Sequence, residues 1–304
     1  MVDLSTEVAG LKLKNPTILA SGILGETGKT LERVVRGGAA AVTTKSIGME
    51  PRPGHNNPTI VELDYGLLNA MGLPNPGIEE YKEELSRIIS CGVPVFGSIF
   101  GKDADEFAEL AGLMTDVGIS ALELNLSCPH ASGYGAELGS DPEMVKSITA
   151  AVKSATSIPL FVKLTPNTSD IVSLGRAAVD GGSDALVAIN TVKGLALEPD
   201  LGLPILSNKI GGYSGPGIKP IGLRCVFELG GAELGIPIIG VGGITNGRNV
   251  VEYLMAGASA VQIGTAVYSH GISVFSKIIT ELEEFMKKNN YNSISQLTGL
   301  ALKR

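Results

Sequence analysis

Short, continuously apolar runs alternate with longer amphipathic stretches along almost the whole sequence. Parallel strands that are buried on both faces have this uninterrupted apolar pattern, whereas half-exposed strands alternate polar and apolar side chains. The pattern predicts strands at residues 17–20, 41–45, 93–97, 121–125, 160–164, 185–190, 238–241 and 260–263. Eight strands that alternate with helices predict an α/β fold of the (β/α)8 kind, the TIM barrel.

The stretches between the runs have helical spacing. Apolar residues recur every three or four positions from Ile78 to Ile89, and Asp141 with Pro142 forms an N-cap and first-turn pair for a further helix. An open doubly wound sheet is the alternative fold, but no G-x-G-x-x-G turn follows the first predicted strand. No change in composition and no Pro- or Ser-rich linker interrupts the chain, so we predict a single domain over residues 1–304.

Composition and charge narrow the functional classes. Hydrophobic residues make up 44% of the 304 residues, which is enough for a large core, and the net charge of −7 argues against nucleic-acid binding. Cys91, Cys128 and Cys225 are widely spaced and form no C-x-x-C pair, so we predict neither disulfides nor a metal or iron–sulfur site in this chain. The sequence has no signal-peptide pattern and no apolar run of the ~18–20 residues that span a membrane. We therefore expect a soluble protein of the cytoplasm.

Three predicted connections are longer than the usual ~2–6 residues of a strand-to-helix loop. They cover residues 46–77, 126–140 and 191–219, and each follows the C-terminal end of a predicted strand. The active site of a (β/α)8 barrel lies at that end of the strands. We therefore expect the functional residues in these connections and at the strand ends.

Two lysines, Lys45 and Lys163, stand at the ends of otherwise apolar strands. A lysine at a barrel mouth must meet an anion or lose hydration free energy, unless it reaches solvent from the strand end. Two lysines that face one mouth favour a bound anion.

The last two predicted strands end in small residues, Gly242-Gly243 and Gly264-Thr265. The loops after the seventh and eighth strands are the usual phosphate site of this fold, where backbone N–H groups face the anion. We therefore predict a phosphate cradle at these two strand ends, to which Thr265 could add a hydroxyl hydrogen bond.

Polar residues suited to a flat ring occupy the same region. Asn69, Asn125 and Asn190 lie in loops or at strand ends, and an amide offers both the donor and the acceptor that match the imide edge of a pyrimidine. Isolated asparagines are also common turn formers. Cys128 opens a Gly-rich stretch after the fourth predicted strand, which makes it a candidate reactive thiol, although a lone cysteine is commonly an inert apolar residue.

These residues lie in motifs that resemble those of the class 1 dihydroorotate dehydrogenases. The longest motifs cover residues 68–77 (LNAMGLPNPG), 125–129 (NLSCP) and 214–220 (SGPGIKP), in the order that the family has them. The resemblance extends over nearly the whole chain, from Asn15 to Thr265. It implies a barrel that holds one FMN per chain and oxidises dihydroorotate to orotate in pyrimidine biosynthesis.

The resemblance also implies the ligand contacts, residue by residue. FMN would be held by Ser21, Lys45, Ser46, Asn125, Lys163, Ile189, Gly215, Gly242, Gly243, Gly264 and Thr265. The pyrimidine and its carboxylate would be held by Lys45, Asn69, Ala70, Met71, Gly72, Leu73, Asn125, Asn190 and Thr191.

The resemblance implies that Cys128 is the catalytic base, a role that serine has in the membrane-associated class. A base must remove the C5 proton of dihydroorotate, and a thiol with a pKa of ~8.5 suits this better than a hydroxyl. FMN would accept the C6 hydride, and Lys163 would stabilise negative charge on the flavin.

One residue departs from the family pattern. Many relatives have Asn where this chain has His130, and Ser-Cys-Pro-His resembles the pyrimidine-reducing domain of dihydropyrimidine dehydrogenase. A uracil-type substrate is therefore the alternative. Uracil has no carboxylate, however, and residues 69–77 resemble a carboxylate-binding loop, which favours dihydroorotate.

The soluble class has two kinds of electron acceptor. One kind is a homodimer that reduces fumarate, and the other reduces NAD+ through an electron-transfer subunit that carries FAD and a [2Fe-2S] cluster. Residues 4–10 and 42–46 resemble the NAD-linked kind. This implies a homodimer core of two catalytic chains joined to two electron-transfer chains.

Two hypotheses for a different kind of function remain open from the residues alone. One is a flavin-free lyase or isomerase that uses the same phosphate cradle, with Lys163 as a Schiff-base lysine. The other is an FMN carrier without catalytic activity.

Overall fold

The computed structural model describes residues 2–126 and 138–303. Eight parallel strands close into a barrel in chain order, with the eighth strand paired to the first. The barrel strands are Thr17–Leu19, Ala41–Thr43, Val95–Ile99, Ala121–Asn125, Leu160–Leu164, Ala185–Ala188, Ile238–Val241 and Ala260–Ile263. The predicted (β/α)8 barrel is confirmed.

The strand bounds differ from the predicted ones by at most two residues. The third strand begins at Val95 because Pro94 has no N–H to donate to the ladder. The second strand ends at Thr43 and the sixth at Ala188. Lys45 and Asn190 therefore lie beyond the last paired residues, on the rim of the barrel.

Helices separate the strands and cover the barrel. Within the described residues the α-helices are Gly28–Arg36, Ile78–Ile89, Ala104–Val117, Pro142–Ala155, Ile171–Asp180, Lys219–Gly231, Gly247–Met255, Ala266–His270 and Val274–Lys288, and the 3-10 turns are Leu138–Ser140, Pro216–Ile218, Ile294–Gln296 and Leu300–Lys303. The predicted cap is confirmed, since the Asp141 side chain accepts a hydrogen bond from the N–H of Glu143 and Pro142 begins the helix. No helix in these described ranges is long and apolar enough to cross a membrane.

The connections predicted as loops at 46–77 and 191–219 contain strands. Within the described ranges the further strands are Thr6–Val8, Leu11–Leu13, Ile60–Leu63, Gly66–Asn69, Val192–Leu195, Leu197–Glu198, Leu203–Pro204 and Ile210–Ser214. Strands from the connections at 46–77 and 191–219 form one four-stranded antiparallel sheet, in which Gly66–Asn69 pairs with Ile210–Ser214. The sequence did not predict this sheet because the paired segments are far apart in the chain.

The barrel interior has an apolar layer at its N-terminal end. Its residues are Ile18, Ala41, Phe96, Ala121, Phe161, Ala185, Val187, Ile239 and Ala260, together with Val8 and Leu13 of the N-terminal hairpin. The rings of Phe96 and Phe161 meet edge to face, with centroids 5.0 Å apart. This layer closes the barrel from the side opposite the long connections.

A buried polar layer lies directly above the apolar one. Side chains on a strand return to the same face at every second residue, so the residue two positions after each apolar-layer residue also points inward. Five of these residues are polar and at most 4% exposed: Thr43, Ser98, Glu123, Lys163 and Gln262. They form the floor of the mouth at the C-terminal ends of the strands.

Candidate active site

Lys163 stands at the centre of this floor. Its ammonium group donates hydrogen bonds to Ser21 Oγ at 3.1 Å, Glu123 Oε1 at 3.2 Å and Gln262 Oε1 at 3.1 Å. A lysine ammonium has three donors, so all of them have acceptors within the chain. The anion that the sequence analysis expected at Lys163 is thus the carboxylate of Glu123, which the prediction missed.

Lys45 also has a carboxylate partner in the chain. Its Nζ lies 2.8 Å from Glu26 Oε1, and the Glu26 side chain is 70% exposed, whereas that of Lys45 is 13% exposed. Thr44 fixes the adjacent backbone, because its hydroxyl donates to the Lys45 carbonyl and accepts from the N–H of Ser98. Both lysines therefore have carboxylate partners within the chain, and the prediction that a bound anion meets them stays a prediction.

A chain of hydrogen bonds crosses the mouth above the floor. Ser98 Oγ lies 2.8 Å from Ser46 Oγ, which accepts from Asn125 Nδ2 at 3.1 Å. Asn125 Oδ1 in turn accepts from Asn190 Nδ2 at 3.2 Å, and Asn190 Oδ1 accepts from the N–H of Thr191. This series of hydrogen bonds links the ends of four strands. It brings together four residues that were predicted as ligand contacts: Ser46, Asn125, Asn190 and Thr191.

The antiparallel sheet carries Asn69 to the same region. Asn69 ends the strand Gly66–Asn69, and its Nδ2 donates to the Gly212 carbonyl at 3.2 Å. The Thr191 side chain packs against the same glycine so closely that a Cβ on Gly212 would clash with Thr191 Oγ1. The two predicted substrate-binding connections therefore meet at Gly212.

The segment after Asn69 is held by its backbone. The Ala70 carbonyl lies 3.1 Å from His55 Nδ1, and the Met71 carbonyl accepts from the N–H of His55. Gly72 and Leu73 both have positive φ, 76° and 54°. These backbone bonds fix the turn that begins the predicted carboxylate-binding loop.

Two glycines follow the seventh barrel strand at the mouth. Gly242 has φ +131° and Gly243 has φ +64°, and a Cβ on Gly243 would lie 2.8 Å from the Gly215 carbonyl. Burial raises the pKa of Tyr253, whose hydroxyl donates to the Gly242 carbonyl at 2.7 Å. Local geometry alone therefore requires glycine at 242 and 243.

Gly264 is different from these glycines. Its φ is not positive, and a Cβ placed on it would make only an ordinary contact of 3.5 Å with Ala20 Cβ. Neither the backbone nor the packing of the chain requires glycine there, whereas close approach of a ligand to the backbone would. Thr265 follows directly, and its hydroxyl donates to Ser214 Oγ at 2.8 Å.

The remaining predicted residues are either buried or outside the described part of the chain. Ile189 is buried after the sixth barrel strand, and its N–H donates to the Val241 carbonyl. Cys128 and His130 lie outside the described residues, so the predicted base and the family departure stay predictions. Cys225 is fully buried in a helix, as expected for an inert thiol.

Four residues of the floor were not predicted as site residues: Glu123, Gln262, Thr43 and Ser98. Glu123, Gln262 and Thr43 are polar residues inside predicted strands that are otherwise mostly apolar, which is a detectable signal. Ser98 lies one residue beyond the predicted third strand, although it is inside the observed one. A strand that is apolar on both faces does not reveal which face points into a barrel, however, so the signal could not be assigned to the site.

The fold and the mouth define a class of protein. This is a (β/α)8 barrel whose C-terminal face combines a glycine-lined edge after the seventh and eighth strands with amides and a buried lysine, an arrangement typical of barrels that bind a phosphate-bearing ligand. The family model described as dihydroorotate dehydrogenase matches residues 3–286. The chain belongs to the dihydroorotate dehydrogenase family.

Similar proteins cover the whole chain. Three relatives are each named "Dihydroorotate dehydrogenase B (NAD(+)), catalytic subunit". The relative from Pyrococcus abyssi is 55% identical over 99% of both chains, that from Methanocaldococcus jannaschii 51% identical over 98% of both, and that from Thermoplasma acidophilum 51% identical over 100% of both. A crystal structure of DHODH from Eimeria tenella in complex with ferulenol has a TM-score of 0.86 at 23% identity and covers 99% of this chain and 89% of that one, which confirms the fold.

Proposed function

We propose that this chain oxidises (S)-dihydroorotate to orotate in pyrimidine biosynthesis, as the FMN-containing catalytic subunit of an NAD+-linked enzyme. The observation that carries this proposal is the identity of 51–55% over essentially the full length to catalytic subunits of that name. The contents of the mouth support it independently, because the amides, the lysines and the glycine-lined edge suit a pyrimidine acid beside a phosphate-bearing cofactor.

The residues of the mouth fit FMN. Gly264 leaves room that only a closely approaching ligand would need, and the adjacent Gly242, Gly243, Gly215 and Thr265 offer backbone N–H groups and a hydroxyl to a phosphate. Ser21, Ser46, Asn125, Lys163 and Ile189 would complete the site. Bound FMN would supply the hydride acceptor for C6 of the substrate.

Substrate binding would use further residues of the mouth. The Lys45–Glu26 pair is exposed on the Glu26 side, and such pairs contribute only ~0–1 kcal/mol. A substrate carboxylate could therefore replace Glu26 at the Lys45 ammonium at little cost. Asn69, Asn125 and Asn190 would pair with the imide edge, with Thr191 and residues 70–73 closing around the carboxylate.

Cys128 would remove the C5 proton. It follows Asn125 by three residues in the connection after the fourth strand, and the described ends of this connection meet, since the N–H of Gly139 donates to the Leu126 carbonyl. The thiolate is the basic form of cysteine, so the rate of oxidation should rise with pH until the thiol is ionised.

The route to NAD+ requires a partner. The relatives' name, catalytic subunit, supports a separate second subunit, and the three cysteines of this chain form no C-x-x-C pair. We propose that the partner carries FAD and a [2Fe-2S] cluster, and that two catalytic chains form a dimer that binds two such partners. Cytoplasmic location, and the absence of nucleic-acid and membrane partners, stay predictions.

The Schiff-base alternative has little support. A Schiff-base lysine must direct an amine lone pair at a carbonyl carbon, whereas Lys163 Nζ donates to three acceptors in the floor.

Anaerobic reduction tests the proposal. The purified chain should be yellow, and dihydroorotate should bleach it without air. A colourless chain that binds no FMN would favour the flavin-free alternative, and a yellow chain that dihydroorotate does not bleach would favour the FMN carrier. Co-expression with the electron-transfer subunit should then be necessary for rapid NAD+ reduction, whereas a lone dimer that rapidly reduces fumarate would contradict the NAD-linked assignment.

A further inference from the structure

The floor of the mouth contains two buried residues that no ligand contact explains. Glu123 is fully buried and Gln262 is 1% exposed, and both lie in the barrel interior. Glu123 Oε1 accepts from Lys163, and its Oε2 accepts from Gln262 Nε2. The Gln262 amide therefore bridges the carboxylate and the ammonium, because its Oε1 also accepts from Lys163.

Thr43 fixes the orientation of this amide. Gln262 Nε2 donates to Thr43 Oγ1 at 3.3 Å as well as to Glu123. With both amide hydrogens used, Gln262 can present only its oxygen to Lys163. Glu123, Gln262 and Thr43 come from three different barrel strands, so the closed barrel itself holds the lysine.

We infer that Glu123 and Gln262 are positioning residues for Lys163, and that they set how strongly the mouth stabilises negative charge on the flavin. This inference rests on the proposed FMN site. The contacts of Lys163 with Glu123 and Gln262 are fully buried, whereas its contact with Ser21 is only part-buried and lies toward the mouth. The ammonium is thus held from the floor, while its mouthward hydrogen bond is the one that a ligand could replace.

Glu123 and Gln262 have opposite effects on the positive field that Lys163 produces in the mouth. Glu123 places one negative charge 3.2 Å from the ammonium and so offsets part of the positive field that reaches the mouth. Gln262 is neutral, and it affects that field only by keeping Lys163 in place. Removing the charge of Glu123 should therefore strengthen anion stabilisation in the mouth, whereas removing the Gln262 amide should weaken it.

The affinity of the FMN-loaded protein for sulfite measures how strongly the mouth stabilises negative charge on the flavin. Sulfite adds to oxidised flavin and leaves negative charge on the ring, so its dissociation constant reports stabilisation of that charge without any turnover. We expect Glu123→Gln to lower the sulfite dissociation constant of the FMN-loaded protein roughly tenfold, the lower end of what a charge a few ångströms away does to an ionisation equilibrium. Gln262→Met should raise it severalfold.

A double-mutant cycle separates positioning from a general loss of structure. If Gln262 acts through Lys163, Gln262→Met should have no further effect in a Lys163→Met background. Glu283→Gln is the matched charge control, because Glu283 forms a surface pair with Lys287 on the last long helix. It should leave the sulfite dissociation constant unchanged.

The outcomes distinguish this inference from the proposed function. A wild-type chain that binds no FMN would refute both. Yellow Glu123→Gln and Gln262→Met proteins with wild-type sulfite affinity would refute the inference alone. If Glu123→Gln does not fold, the neutral Gln262→Met variant and its cycle with Lys163→Met decide the result.

Discussion

Replacing Gly264 by alanine tests whether the glycine edge of the mouth is a ligand cradle. At this position the backbone has no positive φ, and the added methyl would lie 3.5 Å from Ala20 Cβ, an ordinary van der Waals distance. We therefore expect the free energy of unfolding of the FMN-free chain to rise by up to about 1 kcal/mol, because alanine restricts the unfolded chain. It should not fall by more than about 0.5 kcal/mol.

The effect on FMN binding should be much larger. The methyl would occupy the space from which a phosphate approaches the backbone, and a hydrogen bond to a charged group contributes about 1.5–3 kcal/mol. Loss of one such bond corresponds to an increase of roughly 10- to 150-fold in the dissociation constant of FMN. Quenching of FMN fluorescence by the apoprotein measures this constant, and urea unfolding of the same preparation measures stability.

Two other glycines provide matched controls. Gly243→Ala should lose stability as well as FMN affinity, because its φ is +64° and the methyl would lie 2.8 Å from the Gly215 carbonyl. Gly112→Ala, inside the helix Ala104–Val117 with nothing within 4 Å of the new Cβ, should gain up to about 1 kcal/mol and leave FMN affinity unchanged. A Gly264→Ala protein with wild-type FMN affinity and stability would show that no ligand approaches the backbone there.

Three further predictions concern other parts of the chain. Cys128→Ala should retain FMN and orotate binding but lose most dihydroorotate oxidation, and turnover at the wild-type rate in a stopped-flow assay would exclude Cys128 as the base. Phe161→Ala should lower the free energy of unfolding by about 3–5 kcal/mol in urea, because it removes a buried ring packed edge to face on Phe96; a loss below about 1 kcal/mol would contradict the described packing. Burial raises the pKa of Tyr253, so the unfolded chain loses this proton above pH ~10 while the folded chain keeps it, and stability should fall there by up to about 1.4 kcal/mol per pH unit. Tyr253→Phe should make that fall less steep without abolishing it, because burial also raises the pKa of Tyr81. By leaving the Gly242 carbonyl without its hydroxyl donor, it should also cost about 1 kcal/mol at neutral pH, and a slope equal to that of the wild type would mean that Tyr253 does not contribute to the loss.

The barrel was predictable because its signals are local. A strand buried on both faces needs an uninterrupted apolar run, and a helix between strands needs apolar residues every three or four positions. The strand 160–164 therefore has the predicted bounds in the structure, and the helix 78–89 contains the predicted apolar residues. Closure of the barrel then places every strand end at one mouth, so Asn125 and Asn190 could be expected to meet before any distance was known.

The antiparallel sheet had no comparable signal. Gly66–Asn69 and Ile210–Ser214 are short and rich in glycine, and their pairing joins residues as far apart in the chain as Asn69 and Gly212. Backbone hydrogen bonds between such distant segments depend on the barrel that holds both connections. The sequence therefore indicated where extra chain lies but not that it forms a sheet.

The sequence by itself determined the fold class and the residue types that lie at the C-terminal ends of the barrel strands, because burial and periodicity act on neighbouring residues. Only the tertiary structure decided how the charges are paired. Lys163 and Lys45 look alike in the sequence, yet Lys163 is held in the floor by buried Glu123, whereas Lys45 pairs with the exposed carboxylate of Glu26. Which carboxylate meets which lysine depends on the direction in which each side chain points, since Glu123 and Lys163 enter the barrel from neighbouring paired strands, whereas Glu26 and Lys45 lie beyond the strand ends. That difference makes Lys163 a buried, fixed charge and leaves Lys45 in a pair that is exposed on its Glu26 side.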